Sequence, residues 1–386
     1  MELNSAKIKF ARYAVAVLFF LCGFIFSCWA TRIPVFKETF KLNEAELGAI
    51  LFMLPLGSFI ALPFAGWAVD RFGSRFMSVV SIILYAVSLY SLSWCTSVFA
   101  LSASLFLFGF MGDNVNIAMN TQGLDVQHAY DKPILASFHG LWSVGALCGA
   151  LVGGWSLKRQ MTTHDHYLIV LFPVVLVTFI TYLFLIPHDD KKEEGKKLLA
   201  MPDKALMIIG IICLCCTLCE GAMADWSALY YKEVLNDASK VSTTGFTAYA
   251  FTMAVGRFTG DRLISALRYK KVLILDGILI ASGMALALAS MIPTLVIIGF
   301  AMVGFGVSTI IPISYTMAGK SETLKPSVAL AAVSTIGFTG FLIGPPIIGF
   351  VAHEIGLRSA LVIVALLGVC VFLLSKRAVK ERGVKA

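Results

Sequence analysis

Charge is scarce in this chain. Asp, Glu, Lys and Arg make up 14% of its 386 residues, against about 25% in an ordinary soluble domain. That shortage excludes a disordered chain and a long solvent-exposed coiled coil. Strand-like alternation is also weak, and the apolar runs are too uniform for the alternating segments of a membrane β-barrel. The nine cysteines are an odd number without framework spacing, which excludes a disulfide scaffold. Most lie inside apolar runs and read as small packing side chains. Cys213, Cys216 and Cys219 repeat every third residue, but no second Cys or His cluster accompanies them, so no metal site is expected. No phosphate-binding glycine loop and no Ser-His-Asp pattern stands out, which leaves neither an ATP-driven motor nor a hydrolase. No cofactor motif is present. The net charge of +8 is divided into short runs between apolar stretches rather than gathered into a nucleic-acid patch.

What is abundant is apolar. Such residues make up 58% of the chain and its mean hydropathy is +0.85, the composition of a multi-pass helical membrane protein. A helix needs about 20 apolar residues to cross the hydrocarbon core. Twelve stretches meet that need, at 10–31, 45–69, 76–94, 97–121, 135–156, 166–186, 204–230, 241–261, 271–290, 293–317, 327–352 and 357–375. With the N-terminus in the cytoplasm, 23 Lys and Arg residues fall inside and 8 outside. Twelve crossings return the C-terminus to the same side, as the positive-inside rule requires of two basic termini. The longest polar linker, 187–203, divides six stretches from six, giving bundles at 1–186 and 204–386 joined by a cytoplasmic loop.

The two parts look related. Gly66, Asp70, Arg71, Gly73 and Arg75 form G-x-x-x-D-R-x-G-x-R between the second and third stretches. Gly260, Asp261 and Arg262 follow the eighth, with Asp261 standing 191 residues after Asp70. Gly145, Gly149 and Gly154 recur 195 residues on as Gly340, Gly344 and Gly349, and Trp29 recurs 197 residues on as Trp226. Several matches at a nearly constant offset mark an internal duplication.

On these features the chain resembles the major facilitator superfamily, whose best-known signature is the loop motif at 66–75. More narrowly, NVNIAMNTQG, GLWSVGALCGALVGG and EGAMADWSALY resemble the bacterial YbjJ-type inner-membrane transporters, which are distantly similar to fucose permeases. The resemblance implies an all-α membrane fold of twelve transmembrane helices in two pseudo-symmetric six-helix bundles. It places the chain in the inner membrane, with a monomer as the expected unit. It implies that spans 1, 4, 7 and 10 line a central cavity. It also implies that the loop motif latches the cytoplasmic side, with Asp261 and Arg262 as a degenerate counterpart. The run Gly145-x-x-x-Gly149-Ala150-x-x-Gly153-Gly154 resembles an antiporter signature that has proline where this chain has Ala150. Close helix packing by small residues is the competing reading of that run.

The polar residues inside the apolar stretches are the candidate site. Asp113, Asn114, Asn116 and Asn120 stand in the fourth. Asp113, Asn116 and Asn120 are spaced i, i+3, i+7 and share one helix face. An Asp at mid-bilayer costs about 2.5–3.5 kcal/mol, so this face should meet protein or water. Interhelical hydrogen bonding that only holds the bundle is the alternative. In the seventh stretch, Glu220 and Asp225 lie about 140° apart around the helix. Glu220 is the better proton carrier, and Asp225 is placed to pair with Arg32. His139 and Trp142 are i, i+3 neighbours offering one surface, and Trp226 is a further ring. Gly66 should allow a close helix approach, and Asp70 is better placed near another helix's N-terminus or beside Arg75 than at the end of its own helix. Asp276 should reach the membrane interface. Pro312, Pro345 and Pro346 should mark bends.

The leading expectation is a non-enzymatic, proton-coupled secondary transporter that moves a small polar or amphipathic solute by alternating access. Asp113 and Glu220 would carry protons, while Asn114, Asn116, Asn120, His139, Trp142 and Trp226 would contact solute. Its rivals are a proton-linked drug or metabolite exporter and a non-transporting receptor or scaffold with the same fold. The exporter calls for a mostly apolar cavity, and the amide-rich fourth stretch speaks against it.

Overall fold

The computed structural model describes residues 5–130, 134–187, 203–235, 243–321, 324 and 326–378. The linker residues 188–202 and the basic tail from 379 lie outside the described residues, as does the side chain of Asp261. The chain divides into two compact units, Met1–Lys192 and Glu193–Ala386. Among the described residues both are helical, without strands. The first contains α1 (Ser5–Ala30), α2 (Ile33–Phe40), α3 (Glu44–Leu51), α4 (Met53–Phe72), α5 (Ser74–Ser91), α6 (Val98–Tyr130), α7 (Leu135–Lys158) and α8 (Thr163–Tyr182). The second contains α9 (Lys204–Glu233), α10 (Thr244–Ala289), α11 (Pro293–Val307), α12 (Ile310–Gly319), α13 (Pro326–Ile355), α14 (Leu357–Ala360) and α15 (Val362–Ala378).

Among the described residues, eleven helical segments are long and apolar enough to cross a membrane. The stretch expected at 241–261 is helical from Thr244 on, as the first part of α10, and it is the more polar part of that helix. Arg257 and the threonines at 244, 247, 252 and 259 dilute it. Polar residues in that helix are thus a structural feature in their own right, because lipid tolerates them only when they turn inward.

Local chemistry sets the boundaries. α3 opens with a capping box, in which the Glu46 amide donates to Asn43 Oδ1 at 2.8 Å and the Asn43 amide donates to Glu46 Oε2 at 2.9 Å. Each bond satisfies a helix-end group that would otherwise lack a partner. Thr162 caps α8 and Asp203 caps α9 with one bond each, accepted from the Asp165 and Leu206 amides. The short helix α2 was not expected from the sequence. Pro34 near its start suits an N-terminal turn, and Lys37 joins it to α3 through a 2.9 Å ion pair with Glu44.

Glycine sets the closest helix contacts. A side chain at Gly145, Gly149 or Gly153 of α7 would collide with Phe20 or Phe24 of α1 or with Thr31 just beyond it, and one at Gly23 of α1 would strike the Trp142 carbonyl. The glycine-rich run of α7 is therefore a packing stripe. In the first unit, Gly109 of α6 meets the Leu54 carbonyl of α4; in the second, Gly304 of α11 meets the Tyr249 carbonyl of α10. Both partners of this contact recur 195 residues on. The offset seen in glycine positions is thus also an offset in geometry.

The turns repeat as well. Gly73 joins α4 to α5 with φ 82° and ψ 145°, a conformation that suits glycine. The residue 195 positions on is Arg268, which breaks α10 into two helices with φ 65° and ψ 156°. An exposed arginine there carries strain of about 1–3 kcal/mol. The Arg268→Gly variant is expected to raise the thermal unfolding midpoint in detergent, while Gly73→Ala lowers it; equal midpoints for Arg268→Gly and the parent chain would show that the turn holds no strain.

Candidate functional site

In the first unit the polar face of α6 is a ladder. Asn120 Nδ2 donates to Asn116 Oδ1 at 2.9 Å and to the Asn116 carbonyl at 2.8 Å. Asn116 Nδ2 reaches Asp113 Oδ1 at 3.4 Å. Asp113 is buried and its Oδ2 meets no donor among the described residues, whereas Asn116 is exposed. The ladder therefore runs from an enclosed carboxyl to an open amide. Asn114 stands apart from it. Its side chain is buried and its Nδ2 donates back to the Phe110 carbonyl at 2.8 Å.

α7 brings aromatic groups toward α1. The exposed His139 ring meets Phe19 edge-on at 5.1 Å, and Trp142 lies 6.0 Å from Phe26. Cys22 lies between Phe19 and Phe26 on that face of α1 and is buried. Sequence reasoning passed over this cysteine. Its position, three residues after Phe19 and four before Phe26, was the available signal.

The loop motif departs from expectation in three ways. A side chain at Gly66 would meet nothing, so the close approach expected there is not formed. Arg75 is not held by Asp70. Its Nε and Nη2 donate to the Tyr182 carbonyl at 3.2 and 2.9 Å, with the guanidinium 4.3 Å from the Tyr182 ring. It closes the end of α8, whose last carbonyls lack helical donors. Asp70 and Arg71 are exposed. The residues beside the motif extend this anchor. Gln122 Nε2 donates to Ser74 Oγ and to the Ile186 carbonyl, both at 2.8 Å, and the Ile186 amide donates to Gln122 Oε1 at 3.2 Å. Finally, the 195-residue register sets Asp70 opposite Ser265 and Arg75 opposite Lys270. Asp261 and Arg262 sit one helical turn earlier, so they do not occupy the positions of Asp70 and Arg71. Arg262 is exposed.

In the second unit the main finding is a partner for Glu220. Arg257 Nη2 lies 3.3 Å from Glu220 Oε1, joining α9 to α10, with side chains 17% and 13% exposed. The pair is neither sealed nor free. Arg257 was missed by sequence reasoning, although a lone arginine in a stretch read as membrane-spanning is a clear signal. Trp226 is fully enclosed, and its Nε1 has no acceptor among the described residues. In this conformation it presents no surface to a solute. Asp225 is half-buried. Arg32, expected to pair with it, donates within the first unit, to His166 Nδ1 at 3.1 Å, Ser156 Oγ at 2.9 Å and the Thr162 carbonyl at 3.4 Å. Asp276 does not reach an interface. It is fully enclosed and accepts from Thr309. Among the described residues no cluster of His, Cys, Asp and Glu could hold a metal ion.

The chain can now be set against known proteins. The model of the Major Facilitator Superfamily matches residues 15–245 and 211–385. The membrane protein MosC of Rhizobium meliloti is 32% identical over 93% of this chain and 88% of its own length. An uncharacterised MFS-type transporter of Yersinia pestis is 31% identical over 90% of this chain and 91% of its own. Among solved structures, the nucleoside transporter NupG superposes with a TM-score of 0.73 at 15% identity, covering 96% of this chain and 100% of that one. A bacterial homologue of the human lysosomal transporter Spinster, in an inward-facing and unoccupied conformation, gives 0.74 at 15%, covering all of both chains. At that identity the structures speak for the fold alone. The family match spans both units, and the chain belongs to the Major Facilitator Superfamily of membrane transporters.

Proposed function

We propose that this transporter is a proton-coupled carrier of a small polar or amphipathic solute, working by alternating access. The observation that supports it most is the Glu220–Arg257 pair, held between α9 and α10 at partial exposure. Protonating Glu220 removes its charge and releases Arg257, so the two states of the pair differ in what they bind and in how much water they require. A proton taken from one side and lost to the other would thereby drive a change in helix contacts. Such a device needs no cofactor and makes no covalent bond, in keeping with a carrier rather than an enzyme.

The α6 ladder serves as the solute-facing element. Its open end offers amide donors and acceptors at Asn116 and Asn120, and Asp113 at its closed end is a second proton carrier. His139 and Trp142 add an imidazole and a flat ring, a combination that suits a polar solute with an apolar face. Asn114 and Trp226 would join the solute contacts only in a conformation that uncovers them. The motif at Gly66, Asp70, Arg71, Gly73 and Arg75 gates this cycle through the anchored end of α8. Asp261 and Arg262 act one turn away from the matching positions. The similarity of the sequence to YbjJ-type inner-membrane transporters supports an inner-membrane location with cytoplasmic termini and a monomeric carrier.

Three outcomes are expected. In proteoliposomes, Glu220→Gln abolishes the pH dependence of solute uptake while exchange at fixed pH persists; intact pH dependence in that variant would refute the proton role. Arg257→Ala leaves a carboxylate without its partner and lowers stability by up to about 3 kcal/mol, the low end for a buried pair. The double variant Glu220→Gln/Arg257→Ala recovers part of that loss in thermal unfolding, and simple additivity of the two single variants would show that the groups do not interact. Asn116→Leu raises the apparent KM for the transported solute about tenfold, the effect of one lost hydrogen bond, with little change in unfolding temperature.

A further inference from the structure

Asp276 is an acidic residue that takes no part in that scheme. Asp276 lies on the second segment of α10, and its side chain is 0% exposed. Thr309 Oγ1 donates to its Oδ2 at 2.6 Å. Its Oδ1 is enclosed and meets no donor among the described residues.

Thr309 is not an ordinary helix residue. With Ser308 it forms the interruption between α11 and α12. Pro312 accounts for the break, because its ring excludes the carbonyl four residues back, that of Ser308, and its nitrogen has no hydrogen to offer. Neighbours occupy the loosened backbone. Ser308 Oγ donates to the Phe305 carbonyl at 2.6 Å, and the Cys216 thiol of α9 donates to the Val307 carbonyl at 3.5 Å. A side chain at Gly306 would run into the backbone of Asp276 itself. The seam between α10 and the broken helix is therefore tight where the carboxyl sits.

The surroundings fit an acid and not a carboxylate. An ionised Asp276 would have one hydroxyl donor on one oxygen and none on the other. No Lys, Arg or His forms an ion pair with it from α9, α11, α12 or α15 among the described residues. The titratable groups nearby are otherwise engaged. Cys216 bonds to Val307 and Glu220 to Arg257. A bare anion in such a place is untenable. Ionisation requires water or a donor at Oδ1, and hence a parted seam.

The repeat sharpens the point. At the 195-residue offset, Ser81 and Asn114 stand where the second unit has Asp276 and Thr309, and Asp113 stands where it has Ser308. The first unit carries its acid on α6. The second carries it across the seam, at the matching level of the repeated helix pair.

We propose that Asp276 is a further proton-binding site of this transporter, neutral while the α10 seam is shut and ionised when the Ser308–Thr309 break opens to water. The inference goes beyond the roles given to Glu220 and Asp113 and depends on neither. It is tested without any solute, on the full-length protein in lipid nanodiscs, by infrared difference spectroscopy and hydrogen exchange across a pH series. Raising the pH is expected to remove a protonated-carboxyl stretch that Asp276→Asn lacks and that Glu220→Gln and Asp113→Asn retain. Amide exchange across 305–313 is expected to rise with it in the parent chain and to stay flat in Asp276→Asn. Should Asp276→Asn not fold, Thr309→Val carries the test, and its carboxyl band must titrate at a displaced pH. An unchanged spectrum in Asp276→Asn, an unmoved midpoint in Thr309→Val, a band that persists at every pH where the protein is folded, or a band lost on adding sodium at fixed pH would each overturn the proposal.

Discussion

A charge in a lipid-spanning helix must bring its own solvation. Hydrocarbon supplies no donors or acceptors, so each ionisable group has to find them on neighbouring helices or in trapped water. The described structure answers this demand differently at each place. Glu220 meets a guanidinium, Asp113 an amide, and Asp276 a threonine hydroxyl. Arg32 lies among neutral acceptors from three other segments of its unit. Arg75 uses a helix-end carbonyl and the ring above it. These solutions are not equivalent. A salt bridge tolerates both partners ionised, whereas a carboxyl facing one hydroxyl does not. The chemistry of each partner thus sets which protonation state a given helix arrangement accepts.

The two units share geometry more closely than they share chemistry. The glycine–carbonyl contacts at Gly109 and Gly304 and the positive-φ turns at Gly73 and Arg268 recur at one spacing. The side chains laid over this frame have diverged. The first unit keeps an unbroken α6 with an acid and amides on it, while its counterpart is broken at Ser308–Thr309 and faces an acid on the adjacent helix. Helix packing is constrained along its whole length by the closeness of backbones, so it persists. Polar groups are constrained only where they meet a partner, so they can move across a seam as long as the partner moves too.

The same distinction explains what could be read from the sequence. Apolar run lengths located the long helices, whereas the capping residues Asn43, Thr162 and Asp203 that fix three of their starts went unread. The ladder of Asp113, Asn116 and Asn120 was legible because helical periodicity alone puts those residues on one face. Arg257 was overlooked, although its type and place were visible, because its partner lies 37 residues away on another helix. Asp276 was misplaced for a related reason. Distance along a helix says how near a residue is to the membrane surface, but not which neighbours enclose it. The motif register was misjudged because Asp-Arg recurs as a pair, while the structural repeat is fixed by the turn at Gly73 and Arg268.

The meeting of α1 and α7 has a mechanical meaning. Four glycines along it leave no space for even a methyl group, from Gly23 at one level to Gly153 at another. Two cylinders meshed so closely cannot slide or rotate against one another without steric collision, so they behave as one stiff spar. Displacement inside the first unit must therefore be taken up at other junctions, and the His139 and Trp142 rings travel with α1 as rigid cargo.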